Sequence, residues 1–304
     1  MACNYPVRAF RLKDGSVVFD RSHEKNIVKD FFVPCGQCMG CKLERSRQWA
    51  IRCMHESSLH ERNCFITLTY NDAHLPDFKN LEYSQFQLFM KRLRKKFDGK
   101  KIRFFMCGEY GDRKDRPHFH ACLFGHDFDD KILYKQTAAG PNLYTSKTLD
   151  ALWSDKKGVI GFTTIGDVTF ESAAYVARYI IKKGNGKNSS LDYQEIDVET
   201  GELFQKTKEF NRMSLKPGVG SDFYKKWKSD MFPLDVCVVN GVATKPPQYY
   251  FKKLKIEDPQ TYEDICYARE TRAKENSADN TDERLYVKEA VLTAKITLLS
   301  RELK

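Results

Sequence analysis

The chain has 304 residues and carries 51 Lys+Arg against 41 Asp+Glu, a net charge of +10 with a pI near 9.0. That length holds one large domain, or a domain with extensions, and the basic balance points to a polyanionic partner, nucleic acid first. No apolar run reaches the roughly 18 residues that a membrane-spanning helix needs, and the N-terminus lacks an apolar signal core, so the expectation is a cytoplasmic protein with no membrane partner.

The first 60 residues hold a cysteine cluster followed by a helical pattern. Ten cysteines in a cytoplasmic chain point to free thiols or metal ligands rather than disulfides. Cys35, Cys38 and Cys41 have the spacing of a structural zinc site, which needs four ligands. Cys3 is the first choice for the fourth, with Cys53 and His55 as alternatives. Arg45, Arg47 and Arg52 follow the cluster.

Residues 61–184 alternate strands and helices. Cys64–Tyr70 is rich in β-branched and aromatic residues and predicts a strand, with Thr67 and Thr69 on one face. Ser84 opens a helix, with Gln87 completing a capping box. Phe86, Phe89, Met90, Leu93 and Phe97 form its core face. Strands follow at 101–110 and 117–124, joined by the short charged segment 111–116, which suits a hairpin. A helix over 144–153, a strand over 159–168 and a helix from Thr169 to Lys183, stopped by Gly184, complete the region. The order β-α-β-β-α-β-α predicts an α+β fold, an antiparallel central sheet with helices packed on it. Cys64, Cys107 and Cys122 are expected as small buried strand residues. Residues 185–304 read as a more polar, partly helical extension, with a flexible loop at 185–190 and a helical tail from about Asn280.

Chemistry concentrates in the central region. His118-Phe119-His120 lies in a strand of period two, so both imidazoles leave the same face, about 7 Å apart along the strand. Glu109 ends the preceding strand. If the two strands pair, a carboxylate joins two imidazoles, a donor set suited to a catalytic divalent ion with open positions. Tyr175 and Tyr179 are four residues apart and share a helix face with Lys182, opposite Ala173, Val176, Ala177 and Ile180. A tyrosine oxygen beside a divalent metal can attack a bound phosphate, and Lys182 can stabilise the charge that develops there. The candidate phosphate contacts are Arg113, Lys114 and Arg116 in the charged segment and Arg178 on the tyrosine helix. No Gly-rich phosphate loop with Lys-Ser/Thr is present.

These residues resemble the HUH endonucleases, and within them the rolling-circle replication initiators of microviruses, small single-stranded DNA phages of gokushovirus type. The likeness rests on Thr67-Leu68-Thr69-Tyr70, His118-Phe119-His120 with Glu109 upstream, Tyr179-Ile180-Ile181-Lys182, and the paired Tyr175 and Tyr179. It extends to Pro34-Cys35-Gly36-Gln37-Cys38-Met39-Gly40-Cys41 with Trp49, and to Phe210–Gly218. Arg178, at the lysine-like place after Tyr175, is a departure that leaves the order of the two tyrosines open. The resemblance implies a metal-dependent enzyme that nicks origin DNA through a 5′-phosphotyrosine link and rejoins strands, using Mg²⁺ or Mn²⁺. It further implies single-stranded origin DNA as substrate, and a host replicative helicase and single-strand-binding protein as partners in a bacterial cytoplasm. The alternatives are a transposase or relaxase with the same chemistry, or a non-enzymatic, zinc-stabilised nucleic-acid-binding protein.

Overall fold

A computed structural model describes residues 3–22, 24–111, 114–136, 142–178, 193–196 and 200–298. Chain contacts divide it into two units, Met1–Arg45 with Asp258–Glu302, and Ser46–Glu257.

In the first unit β1 (Val7–Leu12) pairs antiparallel with both β2 (Val17–Val18) and β3 (Ile27–Val33). Helix α1 (Met39–Ser57) starts in this unit and continues into the second.

The second unit is built on a seven-stranded sheet. Its members are β4 (Asn63–Leu68), β5 (Arg103–Tyr110), β6 (Pro117–Phe124), β7 (Ile132–Lys135), β8 (Leu143–Thr145), β9 (Thr163–Gly166) and β10 (Phe210–Met213), in the order β10-β5-β6-β4-β9-β8-β7. Every pairing is antiparallel, so the expected α+β class with an antiparallel sheet is the observed one. Between the strands run α2 (Tyr83–Lys96), α3 (Lys147–Leu152) and α4 (Phe170–Arg178). After β10 come α5 (Ser221–Met231) and α6 (Gln248–Glu257), and the first unit closes with α7 (Pro259–Glu275) and α8 (Asp282–Leu298).

Period two divides the sheet into two faces. Ile66, Leu68, Met106, Phe119, Ala121, Leu123 and Ile165 pack against Phe86, Phe89 and Leu93 of α2 and Leu149 and Leu152 of α3. On the other face Phe105, Cys107, Cys122 and Phe124 meet Ala50 and Cys53 of α1 and Ala173, Val176 and Ala177 of α4. Burial on both faces explains why β5 has no exposed residue and reads as a continuous apolar run. Cys64, Cys107 and Cys122 are buried free thiols, as expected.

Some boundaries differ from the sequence reading. Helix α2 begins one residue earlier than Ser84, with Glu82 as N-cap and no side-chain cap bond, so the capping box is not formed. The helix expected over 144–153 is shorter. Tyr144 pairs with Ile165 in the sheet, and Ser146 caps α3 by accepting from the Leu149 N–H. The strand expected over 159–168 breaks at Gly161, where a Cβ would lie 2.2 Å from the Thr69 carbonyl oxygen, so the backbones touch only because glycine is there. Thr169 does cap α4: Ser172 donates its N–H to Thr169 Oγ1 and receives the Thr169 N–H on its own hydroxyl. The end expected for α4 at Lys183, and the loop at 185–190, lie outside the described residues. Strand β10, from the region read as irregular, forms the edge of the sheet beside β5.

Candidate metal and tyrosine site

The site lies where β5, β6 and β4 meet the N-terminal half of α4. The hairpin of β5 and β6 is closed by Gly111 and Asp115: the Gly111 N–H donates to the Arg116 carbonyl, and the Asp115 N–H donates to the Gly111 carbonyl. This turn sets the register, which places Glu109 opposite His118 and Cys107 opposite His120. One carboxylate therefore reaches both imidazoles. His118 Nε2 is 2.5 Å and His120 Nε2 3.1 Å from Glu109 Oε1.

The outer nitrogens are held as well. His118 Nδ1 lies 3.1 Å from the Arg116 carbonyl oxygen, which only accepts, so that nitrogen carries a hydrogen. On a neutral ring this leaves the Nε2 lone pair facing a carboxylate oxygen, an arrangement that needs a cation or a proton between them. His120 Nδ1 lies 2.8 Å from Thr67 Oγ1, because β4 and β6 pair with Thr67 opposite His120. Such outer partners fix ring orientation in metal sites. Glu109 is 1% exposed, and its Oε2 is buried with no hydrogen-bond partner among the described residues. Burial raises the Glu109 pKa, but hydrogen bonds and charge from His118 and His120 outweigh it and hold the carboxyl below its ordinary range. One ligand atom from each residue lies within 4.8 Å of the others. The donor set, the orphaned carboxylate oxygen and the facing lone pairs all fit a divalent ion.

Tyr175 reaches the same place from α4. Its hydroxyl is 3.4 Å from Glu109 Oε1, and its ring meets the His120 ring edge-on at 5.1 Å. Ala173, Val176 and Ala177 bury the opposite side of the helix, as their spacing implies. Tyr179, Lys182 and Arg113 lie outside the described residues, as does the side chain of Arg178. Lys114 is exposed. Arg116 is engaged inside the fold, donating to the Tyr70 carbonyl at 2.9 Å and pairing with Asp72. The sequence reading gave Thr67 no role at the histidines, and the shared face of Thr67 and His120 was the one signal available for it.

The second donor cluster joins Cys3, Cys35, Cys38 and Cys41, whose sulfurs lie within 4.8 Å of one another. Cys3 and Cys38 Sγ are 3.9 Å apart, close to the about 3.8 Å edge of a tetrahedron of thiolates around zinc. Backbone N–H groups point at the sulfurs, from Cys35 to Cys3 at 3.2 Å and from Asn4 to Cys38 at 3.3 Å. Burial raises the Cys38 thiol, but backbone donors from Asn4 and Cys41, with the neighbouring thiols, bring it down to about 7. The two alternatives for the fourth ligand are placed elsewhere. Cys53 is buried with Cys107 and Cys122, and His55 stacks on Phe223.

Fold and site define a class: an α+β protein whose antiparallel sheet presents a Glu-His-His donor set to a tyrosine-bearing helix, with a separate Cys₄ cluster. Residues 63–184 match the family model of the replication-associated protein ORF2. The chain is 32% identical over 296 residues to the replication-associated protein ORF2 of Spiroplasma virus 4, covering 90% of this chain and 86% of that one. It is 29% identical to the replication-associated protein VP4 of Bdellovibrio phage phiMH2K over the full length of both. The replication-associated protein ORF4 of Chlamydia phage 1 is 30% identical over 76% of this chain and 56% of its own. The chain belongs to the replication-associated proteins of microvirus-like phages. No solved structure matches it. Among the described residues no helix is long and apolar enough to cross a membrane.

Proposed function

We propose that this protein initiates rolling-circle replication as a metal-dependent enzyme that nicks and rejoins single-stranded origin DNA. The observation that carries the reading is the convergence of Glu109, His118 and His120 on one point, with the Tyr175 hydroxyl beside it. Mg²⁺ or Mn²⁺ held by these three residues would neutralise and orient the scissile phosphate. The Tyr175 oxygen, having given up its proton, attacks phosphorus. A phosphotyrosine ester forms at the 5′ side, the P–O3′ bond breaks, and the 3′ oxygen leaves with a proton as a free hydroxyl. Tyr179 is the partner nucleophile for a second transfer that rejoins the strand, and Lys182 stabilises charge at the phosphate. Arg113, Lys114, Arg116 and Arg178 are the proposed phosphate contacts, and the net charge of +10 favours them. The relatives' names support the replication role. The Cys₄ cluster holds structural Zn²⁺. The protein works in the bacterial host cytoplasm, with a host helicase and single-strand-binding protein supplying the unwound template.

The test is a covalent adduct. The full chain is incubated with labelled single-stranded phage origin DNA and Mn²⁺, and protein-linked label is followed on a denaturing gel. An adduct is expected, and it disappears with chelator, with His118→Ala, or with Tyr175→Phe and Tyr179→Phe together. A folded protein that binds the DNA and forms no adduct would be a non-enzymatic binding protein, and the proposal falls.

A further inference from the structure

Helix α4 is tied down on both sides of Tyr175 by two side chains with no other part in the site. Ser46, on α1, donates its hydroxyl to the Ala174 carbonyl at 2.9 Å. Asn211, on β10, donates its amide to the Val176 carbonyl at 2.8 Å. These carbonyls belong to the residues immediately before and after the tyrosine. The same Asn211 nitrogen lies 3.3 Å from the Met106 carbonyl of β5, the strand that carries Glu109. Strand pairing explains the reach, because Asn211 lies opposite Cys107 and so points to the face that α4 covers.

Both groups are costly where they sit. Ser46 is 3% exposed. The Asn211 Oδ1 is buried with no hydrogen-bond partner among the described residues, and the surrounding cluster is apolar. A buried, half-satisfied amide costs stability that an apolar side chain of similar size would not. Packing alone therefore does not account for Asn211. A donor shared between the Glu109 strand and the tyrosine helix fixes the distance between carboxylate and phenol, and Ser46 fixes the helix from the side of α1.

We infer that Ser46 and Asn211 are positioning residues that hold the Tyr175 hydroxyl at the Glu109-His118-His120 point, so that Tyr175 is the pre-set nucleophile. The inference rests on the function proposed above. Both residues act through the backbone of α4 and touch neither phosphate nor metal.

The test uses the full chain, a labelled single-stranded phage origin oligonucleotide and Mn²⁺. Variants are Ser46→Ala, Ser46→Thr, which keeps the hydroxyl, and Asn211→Asp, which keeps size but loses the donor. Ser46→Ala with Asn211→Asp is expected to slow adduct formation at saturating DNA by roughly tenfold to a hundredfold, the scale of small misplacements of a reacting group. DNA affinity and Mn²⁺ affinity should stay within about twofold, because the metal residues lie on β5 and β6. Ser46→Thr should recover most of the rate lost in Ser46→Ala. Unchanged rates overturn the inference. So does a parallel loss of rate, DNA affinity and Mn²⁺ affinity, which would mark a general folding role. A readout without chemistry separates this from failure of the proposed activity. Fluorotyrosine placed at position 175 should give a fluorine resonance strongly broadened by Mn²⁺ in the parent and less in the double variant. If the parent makes no adduct, the enzyme reading falls while the fluorine line still decides the clamp. Equal broadening in parent and double variant overturns it.

Discussion

Thr67 decides how well His120 is held. Its hydroxyl is the partner of His120 Nδ1, at 2.8 Å, and the Phe65 ring stacks on the same imidazole at 5.6 Å. Thr67→Val keeps the branched shape and the strand preference but removes the hydroxyl. Mn²⁺ affinity, measured by titration, is expected to fall about tenfold to a hundredfold, the usual effect of losing an outer hydrogen-bond partner. Thr67→Ser should retain most of it, and a Thr67→Val protein with parental affinity would refute this role. The histidine pair was legible in the sequence because period two is a local rule. The partnership of Thr67 with His120 was not, because it depends on the register between strands 53 positions apart. Glu109 stood between these cases: the short segment 111–116 made a hairpin readable, and the hairpin register puts Glu109 opposite His118.

At the scale of elements, the chain joins α1, β5 and the segment before α5 through one buried ion pair. Glu56 on α1 accepts from Arg103 on β5, with side chains 2% and 5% exposed. Glu56 also accepts the Gly220 N–H at 2.7 Å, and Arg103 donates to the Pro217 carbonyl at 2.8 Å. Removing one partner strands the other charge in the interior. Arg103→Met should therefore lower unfolding free energy by about 3–5 kcal/mol in a urea titration, and Glu56→Gln added to it should restore part of the loss. A single variant as stable as the parent would mean the pair carries no net stability. The apolar face of α2 was readable from its 3.6-residue period, whereas its cap was not, because Ser84 competes with a tertiary setting that begins the helix at Tyr83. Strand β10 was unreadable for a similar reason. Phe210–Met213 has no strong strand pattern, and it becomes a strand because β5 offers it an edge.

At the scale of the whole molecule, the Cys₄ cluster ties Cys3 to residues 35–41 within the first unit. Purified protein should contain about one zinc per chain, and chelation should open residues 1–45 to proteolysis while 46–257 stays protected. A metal-free chain with the same cleavage pattern would count against the site. Acid should unfold the second unit by a different route. Burial brings His55 down to about 4, with its Nδ1 3.1 Å from Tyr250 Oη and its ring stacked on Phe223. Burial, then the charges of Lys100 and Arg62, bring His126 down to about 4 as well, between the rings of Phe97 and Phe128. In the unfolded chain both imidazoles take a proton near pH 6.5. Between about pH 6.5 and 4 the unfolded chain therefore binds more protons than the folded one, and stability is kept above that window and lost as pH falls through it. His55 alone accounts for about 3 kcal/mol across the window, from a shift of about 2.5 pH units at 1.36 kcal/mol each. Neither ring nitrogen of His126 has a hydrogen-bond partner among the described residues, so His126→Phe gives up no bond and adds an apolar ring beside two others. Urea midpoints taken from pH 7 to pH 4 should show that variant losing less stability than the parent. An equally steep acid limb in both proteins would place the acid lability elsewhere.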